Sequence, residues 1–150
     1  MGKTPPITCR KLTPADAEGA AAFDLKVFGA DNAFSRGYFF CAACDEKAEY
    51  LLAEIDGQIV GCIGAGIYDD TAEIETFAVD QKFRRRGIGK KIFARLLRII
   101  EGRGAKFVIL QVRPSNLTAI DFYERFGFKI VDRLENYYPD EDAFLMLLEF

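Results

Sequence analysis

The architecture of this chain is set by the run Val79-Asp80-Gln81-Lys82-Phe83-Arg84-Arg85-Arg86-Gly87-Ile88-Gly89-Lys90. A strand-like stretch, 74–79, leads into this basic turn, and its periodicity predicts an amphipathic helix over 87–101. Glycines let a ligand approach the backbone closely, and the unpaired N–H groups of a first helical turn point at it. The helix dipole and the basic side chains add positive charge there. The run therefore predicts a binding site for a diphosphate.

The composition predicts one globular domain over residues 1–150. Half of the 150 residues are hydrophobic and the formal net charge is −3, so the chain is long enough to bury a core and is not basic overall. An acidic chain of this kind does not favour nucleic-acid binding. Histidine is absent from the sequence, which excludes imidazole metal ligands and Ser-His-Asp triads.

Four cysteines are present, and Cys41-Ala-Ala-Cys44 has the spacing of a redox dithiol or of half a zinc site. A zinc site needs two further ligands, and the sequence has neither histidine nor a second such pair. We therefore expect buried or partly buried free thiols and no metal. No signal peptide and no long apolar segment is visible, which predicts a cytoplasmic protein away from membranes.

The remaining patterns predict a mixed α/β fold. Strands are expected over 7–12, 50–55, 58–68, 73–79, 106–113, 128–134 and 143–149, with helices over 13–28, 35–45, 87–101 and 117–126. Asp56-Gly57 is a strong hairpin signal, and a helical connection between strands 74–79 and 107–112 predicts a parallel, right-handed unit. Gly61, Gly64 and Gly66 predict that another backbone or a ligand approaches the middle strand. The whole is a twisted mixed sheet of about seven strands with about four helices on both faces.

Two motifs on these elements resemble the GNAT superfamily of acyl-CoA-dependent N-acyltransferases. The family signature, Arg or Gln-x-x-Gly-x-Gly or Ala, stands here as Arg84-Arg85-Arg86-Gly87-Ile88-Gly89. A later pattern follows as Val112-Arg113, Asn116, Ala119, Tyr123 and Gly127-Phe128. The C-terminal Asn136-Tyr137-Tyr138-Pro139, followed by Glu141-Asp142-Ala143 and Met146, resembles the RimI type and archaeal protein N-terminal acetyltransferases.

The resemblance implies that acetyl-CoA is the cosubstrate. Its diphosphate would lie on the backbone N–H groups from Arg85 to Lys90, and its pantetheine arm would pair with the strand Phe77-Ala78-Val79. This pairing requires strands 74–79 and 107–112 to diverge. The implied cofactor residues are Phe77, Ala78, Val79, Arg84, Arg85, Arg86, Gly87, Ile88, Gly89, Lys90 and Asn116.

For catalysis the resemblance implies that Tyr123 is the general acid for the departing thiolate, with an oxyanion held by the N–H of Val79. Where the RimI type has a glutamate base, this chain has Gln111, which cannot accept a proton. Either Glu73 or Glu75 relays the proton through water, or a weakly basic α-amine needs little help, or the chain binds CoA without catalysis. The first two are favoured together, and Glu75 is the preferred base because alternation places it on the face of Phe77 and Val79.

The predicted function is acetyl-CoA-dependent N-acetylation of a protein or peptide N-terminal α-amine, by direct attack in a ternary complex. Tyr137 and Tyr138 would wall the slot for the peptide N-terminus, and the protein would act as a monomer or homodimer. Alternatives are a small-molecule amine as acceptor, a non-catalytic acyl-CoA sensor, and a basic-helix nucleic-acid module. For the residues themselves, the alternatives are a solvated basic turn, a core position for Tyr123, a helix cap only for Asn116, surface aromatics for Tyr137 and Tyr138, and solvated side chains for Glu73 and Glu75.

Overall fold

The computed structural model describes residues 5–150, which form one mixed sheet of seven strands with four α-helices. The strands are β1 Thr8–Lys11, β2 Ala48–Ile55, β3 Gln58–Tyr68, β4 Thr71–Val79, β5 Phe107–Val112, β6 Lys129–Leu134 and β7 Ala143–Glu149. The helices are α1 Ala17–Phe28, α2 Arg36–Cys44, α3 Ile88–Gly102 and α4 Leu117–Arg125. The predicted fold class is confirmed.

The sheet has the order β1-β2-β3-β4-β5-β7-β6, and every neighbouring pair is antiparallel except β4 and β5. These two strands are parallel, as the crossover through α3 predicts. Their pairing covers only Thr71–Glu73 against Phe107–Ile109. Beyond Glu73 the strands diverge, so the backbone edge of β4 that faces β5 has no strand partner there. The predicted divergence is confirmed.

Local signals fix several element ends. Asp56 and Gly57 both have positive φ, 51° and 77°, the conformation that a two-residue hairpin with matching twist requires. The Ser35 hydroxyl accepts the N–H of Tyr38 at 3.2 Å and caps α2. The predicted helix from residue 13 begins instead with a 3-10 turn, Pro14–Asp16, and becomes α-helical at Ala17.

Two apolar cores lie on opposite faces of the sheet. On one face, α3 contributes Ile88, Ile92, Phe93, Leu96, Leu97 and Ile100, all buried. Phe122 of α4 and Phe126, which follows α4, pack against Phe93, with ring centres 5.4 Å and 4.7 Å from that of Phe93. On the other face, α1 and α2 pack over Tyr50, Leu52 and Cys62. The four helices are therefore divided between the faces, α3 and α4 against α1 and α2.

Gly64 and Gly66 of β3 make room for side chains, which corrects the expectation of a close backbone or ligand at these two positions. At Gly61, a Cβ atom would lie 3.4 Å from the backbone oxygen of Ala78 on β4. A Cβ atom on Gly64 would overlap the ring of Tyr50, which reaches across from β2. A Cβ atom on Gly66 would overlap the carboxylate of Glu75 and lie 2.7 Å from the hydroxyl of Tyr68. Large polar side chains from both neighbouring strands thus lie over the middle of β3.

A β-bulge on β4 places Glu75 on a different face from the one expected. Gly64 pairs with Thr76 and Ala65 pairs with Ile74, so Glu75 is the extra residue between them. Phe77 and Val79 pack in the core beneath α3, whereas the Glu75 carboxylate lies over Gly66 on the side of Tyr50. The shared face predicted from alternation is therefore wrong, because the bulge interrupts the two-residue period.

All four cysteines are free thiols. Cys62 is buried on β3, and burial raises the pKa of its thiol to about 12. Cys41 and Cys44 lie on α2 but are exposed, which corrects the expectation of buried thiols. Within residues 5–150, no cluster of three or more Cys, Asp or Glu side chains is arranged to hold a metal ion. None of the helices in this described part of the chain has both the length and the apolar character to cross a bilayer.

Candidate active site

A cleft of about 800 Å³ opens where β4 and β5 diverge, at the N-terminal end of α3. Its walls come from α1, β4, the basic turn, α3 and α4. The lining residues are Val27, Phe28, Phe77, Ala78, Val79, Phe83, Arg84, Arg85, Gly87, Ile88, Gly89, Lys90, Asn116, Thr118, Ala119, Phe122 and Tyr123. The cleft thus brings together every predicted cofactor residue except Arg86. The sequence reasoning missed the apolar members from α1 and α4.

The start of α3 supplies donors to this cleft. Gly87 has φ 77° and precedes the helix, whose first backbone bond runs from the N–H of Lys91 to the carbonyl of Gly87. The N–H groups of the residues between them therefore have no partner within the helix. Arg85 also has a left-handed backbone, φ 65°, which is uncommon for a side-chain-bearing residue. This turn presents N–H groups and positive charge to one space, as an anion site requires.

Gly89 and Arg86 differ in how they relate to the cleft. A Cβ atom on Gly89 would lie 3.3 Å from the Phe77 ring, so the glycine lets α3 approach β4 closely. Arg86 does not line the cleft, and its guanidinium lies 5.2 Å from the centre of the Phe83 ring. The signature glycine is thus explained by packing, while a role of Arg86 in cofactor binding stays a prediction.

Asn116 lies where β5 gives way to α4. Its side-chain oxygen accepts the N–H of Ala119 at 3.2 Å and caps the helix, as its sequence position predicts. The same residue lines the cleft. The cap uses the amide oxygen, so the amide nitrogen is the group that this residue can offer to a cofactor.

A second cavity of about 260 Å³ adjoins the cleft. It is lined by Asp24, Phe28, Asn32, Phe34, Ile74, Glu75, Thr76, Phe77, Leu110, Gln111 and Tyr123. Phe28, Phe77 and Tyr123 line both spaces, so the two join at these aromatic side chains. Two adjoining spaces of unequal size, one of them basic at its mouth, are the arrangement that a two-substrate reaction needs.

Tyr123 stands at this junction. Its ring packs 5.6 Å from the ring of Phe93 and 6.4 Å from that of Phe77. Burial, with a smaller effect of the nearby Tyr138, raises the pKa of Tyr123 to about 12. Within residues 5–150 its hydroxyl makes no hydrogen bond to another side chain or to the backbone. The hydroxyl therefore keeps its proton at neutral pH and is free to donate it into the cavities.

Glu75 is held by a cluster of phenols. Its carboxylate accepts hydrogen bonds from the hydroxyls of Tyr38, at 3.0 Å, of Tyr50, and of Tyr68, at 3.3 Å. Burial raises the pKa of both Tyr38 and Tyr50, so these hydroxyls remain donors. Gln111 lines the same cavity as Glu75 and donates instead to Glu73, at 3.2 Å. Tyr38, Tyr50 and Tyr68 were missed in the sequence because they come from separate elements.

Asp24 is a second carboxylate in the smaller cavity, and the sequence reasoning missed it. The residue is 0 % exposed on α1, and its Oδ2 accepts the N–H of Phe34 at 2.7 Å. Burial raises the pKa of its carboxyl group. A signal was available in the sequence: Asp24 falls on the buried stripe of α1 with Ala17, Ala20 and Phe23, where an acid is unexpected.

Tyr137 and Tyr138 lie outside both cavities, on the loop between β6 and β7. The guanidinium of Arg113 lies 4.1 Å from the centre of the Tyr138 ring and also bonds Asp140 at 2.7 Å. Glu141 accepts the backbone N–H of Ser115 at 2.8 Å. These contacts hold the loop against the end of β5, near Tyr123, while contact of either tyrosine with a substrate stays a prediction.

Comparison with known proteins gives a family. The family described as "Acetyltransferase (GNAT) family" matches residues 20–128. An N-alpha-acetyltransferase of Sulfurisphaera tokodaii is 36% identical over 124 residues, which are 73% of this chain and 74% of that protein. The N-alpha-acetyltransferase RimI of Mycobacterium tuberculosis is 30% identical over 149 residues, 95% of this chain and 92% of that protein. An uncharacterised Mycobacterium leprae protein, ML0378, is 33% identical, and the chain spans only 41% of its length.

Solved structures of acetyltransferases also superpose on this chain. The ribosomal-protein-S18-alanine N-acetyltransferase of Escherichia coli superposes with a TM-score of 0.87 at 27% identity, covering 96% of this chain and 94% of that one. The Arabidopsis thaliana protein NAA60, solved with acetyl-CoA, has the same fold with a TM-score of 0.83 at 22% identity, covering 97% and 99%.

Proposed function

The chain belongs to the acetyltransferase (GNAT) family, and we propose that it transfers the acetyl group of acetyl-CoA to a protein or peptide N-terminal α-amine. The observation that carries this proposal is the pair of adjoining cavities at the divergence of β4 and β5. The larger has the basic, N–H-rich mouth that a diphosphate needs. The smaller has room for an amine and contains two carboxylates, Asp24 and Glu75.

In this proposal acetyl-CoA lies in the larger cleft. Its diphosphate accepts hydrogen bonds from the free N–H groups at the start of α3, and Arg84, Arg85 and Lys90 supply charge at the same mouth. Arg86 acts at longer range from beside Phe83. The pantetheine arm pairs with the unpartnered edge of Phe77-Ala78-Val79, and the Asn116 amide nitrogen donates to it.

The chemistry follows from the junction of the cavities. The amine attacks the thioester carbonyl directly, and the N–H of Val79 holds the oxyanion. Tyr123 gives its proton to the departing sulfur: its hydroxyl has no competing hydrogen bond, and its raised pKa keeps it protonated at neutral pH until the thiolate forms. Glu75 relays the proton of the acceptor through water, since Gln111 cannot accept one. Direct attack needs no acyl-enzyme, and neither cavity is lined by a cysteine that could form one.

The relatives favour a peptide acceptor over a small amine. Two of them are named N-alpha-acetyltransferases, and one superposed structure is named a ribosomal-protein-S18-alanine N-acetyltransferase. The loop that carries Tyr137 and Tyr138 lies near Tyr123 and would form the outer wall of the peptide slot. We further propose that the chain acts as one domain, as a monomer or homodimer, in the cytoplasm.

A turnover assay tests this proposal. The protein is given acetyl-CoA with peptides that have free N-termini, the same peptides with blocked N-termini, and spermidine as a small amine. We expect CoA release only with free α-amines, and mass spectrometry should place the acetyl group on the first residue. Acetylation of spermidine alone would move the function to small amines. CoA binding without transfer to any amine would favour the alternative of a non-catalytic acyl-CoA sensor. That alternative is considered because Gln111 stands where the RimI type has a glutamate.

A further inference from the structure

Asp24, which lines the smaller cavity, has one buried carboxylate oxygen without a hydrogen-bond partner. Oδ2 of Asp24 accepts the N–H of Phe34, whereas Oδ1 is the single buried side-chain oxygen or nitrogen without a hydrogen-bond partner among residues 5–150. Leaving a buried acceptor unfilled costs free energy, and more so when the group is charged. Asp24 lines the cavity, so a ligand that comes into contact with this carboxyl group would supply the missing donor.

The charge of the cavity indicates what kind of donor this is. Asp24 and Glu75 are both among its lining residues, and no lysine or arginine is. Glu75 already accepts hydrogen bonds from three tyrosine hydroxyls, so its oxygens are largely occupied. The cavity lining thus contains two carboxyl groups, and one of them has an oxygen without a hydrogen-bond partner. A primary ammonium group matches both properties, since it carries a positive charge and three donors.

We propose that Asp24 binds the ammonium group of the acceptor through Oδ1 and anchors it in the smaller cavity. Glu75 then provides the onward route for the proton, and Tyr123 faces the thioester from the junction. This inference rests on the proposed function as an amine acetyltransferase and adds the residue that holds the amine. It does not depend on whether the amine belongs to a peptide or to a small molecule.

The position of the cavity supports this assignment. Phe28, Phe77 and Tyr123 line both this cavity and the larger cleft, so an amine anchored at Asp24 would lie beside the cleft that is proposed to hold acetyl-CoA. The raised pKa of the Asp24 carboxyl group reports the burial that a bound cation would compensate. The bond to Phe34 fixes the carboxylate by its other oxygen, so the anchor has one orientation.

The test is Asp24→Asn, assayed with acetyl-CoA and a peptide that the wild-type protein acetylates. The amide oxygen of asparagine is still able to accept the N–H of Phe34, so the loop after α1 keeps its support. We expect KM for the peptide to rise roughly 10- to 100-fold, the effect of losing a hydrogen bond to a charged group, with kcat changed less. The affinity for CoA, measured by calorimetry, should not change.

Glu49→Gln is the matched control. Glu49 is also a buried carboxylate, but it bonds Arg103 at 2.7 Å and lines neither cavity. Its loss should lower stability without changing KM for the peptide. An equal rise of KM in both variants would overturn the assignment, because it would show a general effect of losing a buried carboxylate. An unchanged KM in Asp24→Asn, or a fall of kcat alone, would also overturn it.

A binding measurement separates this inference from the proposed function. The protein saturated with CoA, which has no acetyl group to give, is titrated calorimetrically with the free and the N-terminally blocked peptide. Suppose that the protein shows no turnover but binds the free peptide, and that Asp24→Asn weakens this binding. That result would retain the anchor and reject the acetyltransferase function. Equal binding of the free peptide by wild type and Asp24→Asn would reject the anchor whether or not acetylation occurs.

Discussion

Tyr123 brings a single hydroxyl to a junction whose other shared members are the rings of Phe28 and Phe77. An apolar setting of this kind destabilises a phenolate, and the pKa of Tyr123 is accordingly raised. A raised pKa weakens the phenol as an acid in its resting state but keeps it protonated at neutral pH. In the proposed reaction, the thiolate that forms next to Tyr123 is the base to which the proton moves.

Replacing Tyr123 by phenylalanine tests this role, because the change removes the hydroxyl and keeps the ring that packs on Phe93. We expect kcat to fall about 100-fold, the contribution typical of a positioned general acid, while the affinity for CoA stays within a factor of two or so. Steady-state kinetics and calorimetry with CoA measure the two quantities. A large loss of affinity with normal turnover would instead assign Tyr123 to cofactor binding.

Glu75 is tested by Glu75→Gln, which keeps an oxygen for the tyrosine hydroxyls but cannot take a proton. We expect kcat to fall about 100-fold and the acidic limb of the pH–rate profile to flatten. Glu73→Gln is the companion variant, since Glu73 is the other candidate and is bonded by Gln111. An unchanged profile in Glu75→Gln, with a changed one in Glu73→Gln, would transfer the relay to Glu73.

At the scale of single elements, the predictions that succeeded depend on local chemistry. The Asp56-Gly57 hairpin, the Ser35 cap and the glycine-bearing start of α3 each need only adjacent residues, so the sequence contains the whole signal. The bulge at Glu75 depends instead on how the Tyr50 ring from β2 lies over Gly64 of β3. Such cross-strand packing has no local signature, and the face of Glu75 could not be obtained from alternation alone.

The two cavities of the site differ in the same way in how far the sequence predicts them. The part of the larger cleft that β4, the basic turn and the start of α3 form was predictable, because its residues are adjacent in sequence. The smaller cavity was not predictable, because Asp24, Glu75 and Gln111 come from α1, β4 and β5. These three residues come together only when α1 packs on the sheet. Arg86 is the one predicted cofactor residue that does not line the cleft: its guanidinium lies 5.2 Å from the centre of the ring of Phe83, and its role in cofactor binding stays a prediction.

The bulge and its phenol cluster are tested by Gly64→Ala. A methyl group at this position would overlap the Tyr50 ring, so Tyr50 must move away from Glu75 or β3 must shift. We expect the free energy of unfolding to fall by about 1–3 kcal/mol, the usual cost of overpacking, together with a loss of turnover. Denaturant unfolding and the kinetic assay measure these effects.

Gly102→Ala is the control for this change, because a Cβ atom on Gly102 meets nothing within 4 Å near the end of α3. That variant should be as stable as the wild type or slightly more so, by up to about 1 kcal/mol, since alanine favours helix. Unaltered stability and turnover in Gly64→Ala would mean that Tyr50 has room to move and that the cluster does not fix Glu75.

At the scale of the whole molecule, the divergence of β4 and β5 lets the two faces of the sheet contribute to one site. Asp24 comes from α1 on one face, whereas Tyr123 comes from α4, whose aromatic side chains belong to the core beneath α3 on the other. In a continuous sheet these helices would be separated by paired strands. In the proposed function, the opening lets acetyl-CoA pair with the free edge of β4 and lets residues from both faces of the sheet surround the acceptor.

Two buried aspartates beside this opening should affect folding in opposite directions. Burial raises the pKa of Asp24, so its ionised form is disfavoured in the folded chain. Asp80, which closes β4, accepts hydrogen bonds from Lys26 at 2.8 Å and from the N–H of Lys82 at 3.0 Å, and these bonds lower its pKa. The first carboxylate lowers stability when it ionises, and the second raises it.

We therefore expect Asp24→Asn to raise the midpoint of thermal unfolding at pH 7 and Asp80→Asn to lower it. For Asp24, the wild-type penalty develops as the pH rises from about 3.9, the unfolded value, to the raised folded pKa, so the advantage of the variant should disappear in acid. For Asp80, the wild-type stabilisation is present above about 3.9 and is lost as the pH falls through the lowered folded pKa. Scanning calorimetry of the three proteins between pH 3 and 8 measures both trends. If Asp24→Asn is less stable than the wild type at pH 7, the Asp24 carboxylate stabilises the fold through its bond to Phe34. The view that Asp24 lowers stability and is present to bind a ligand would then be wrong.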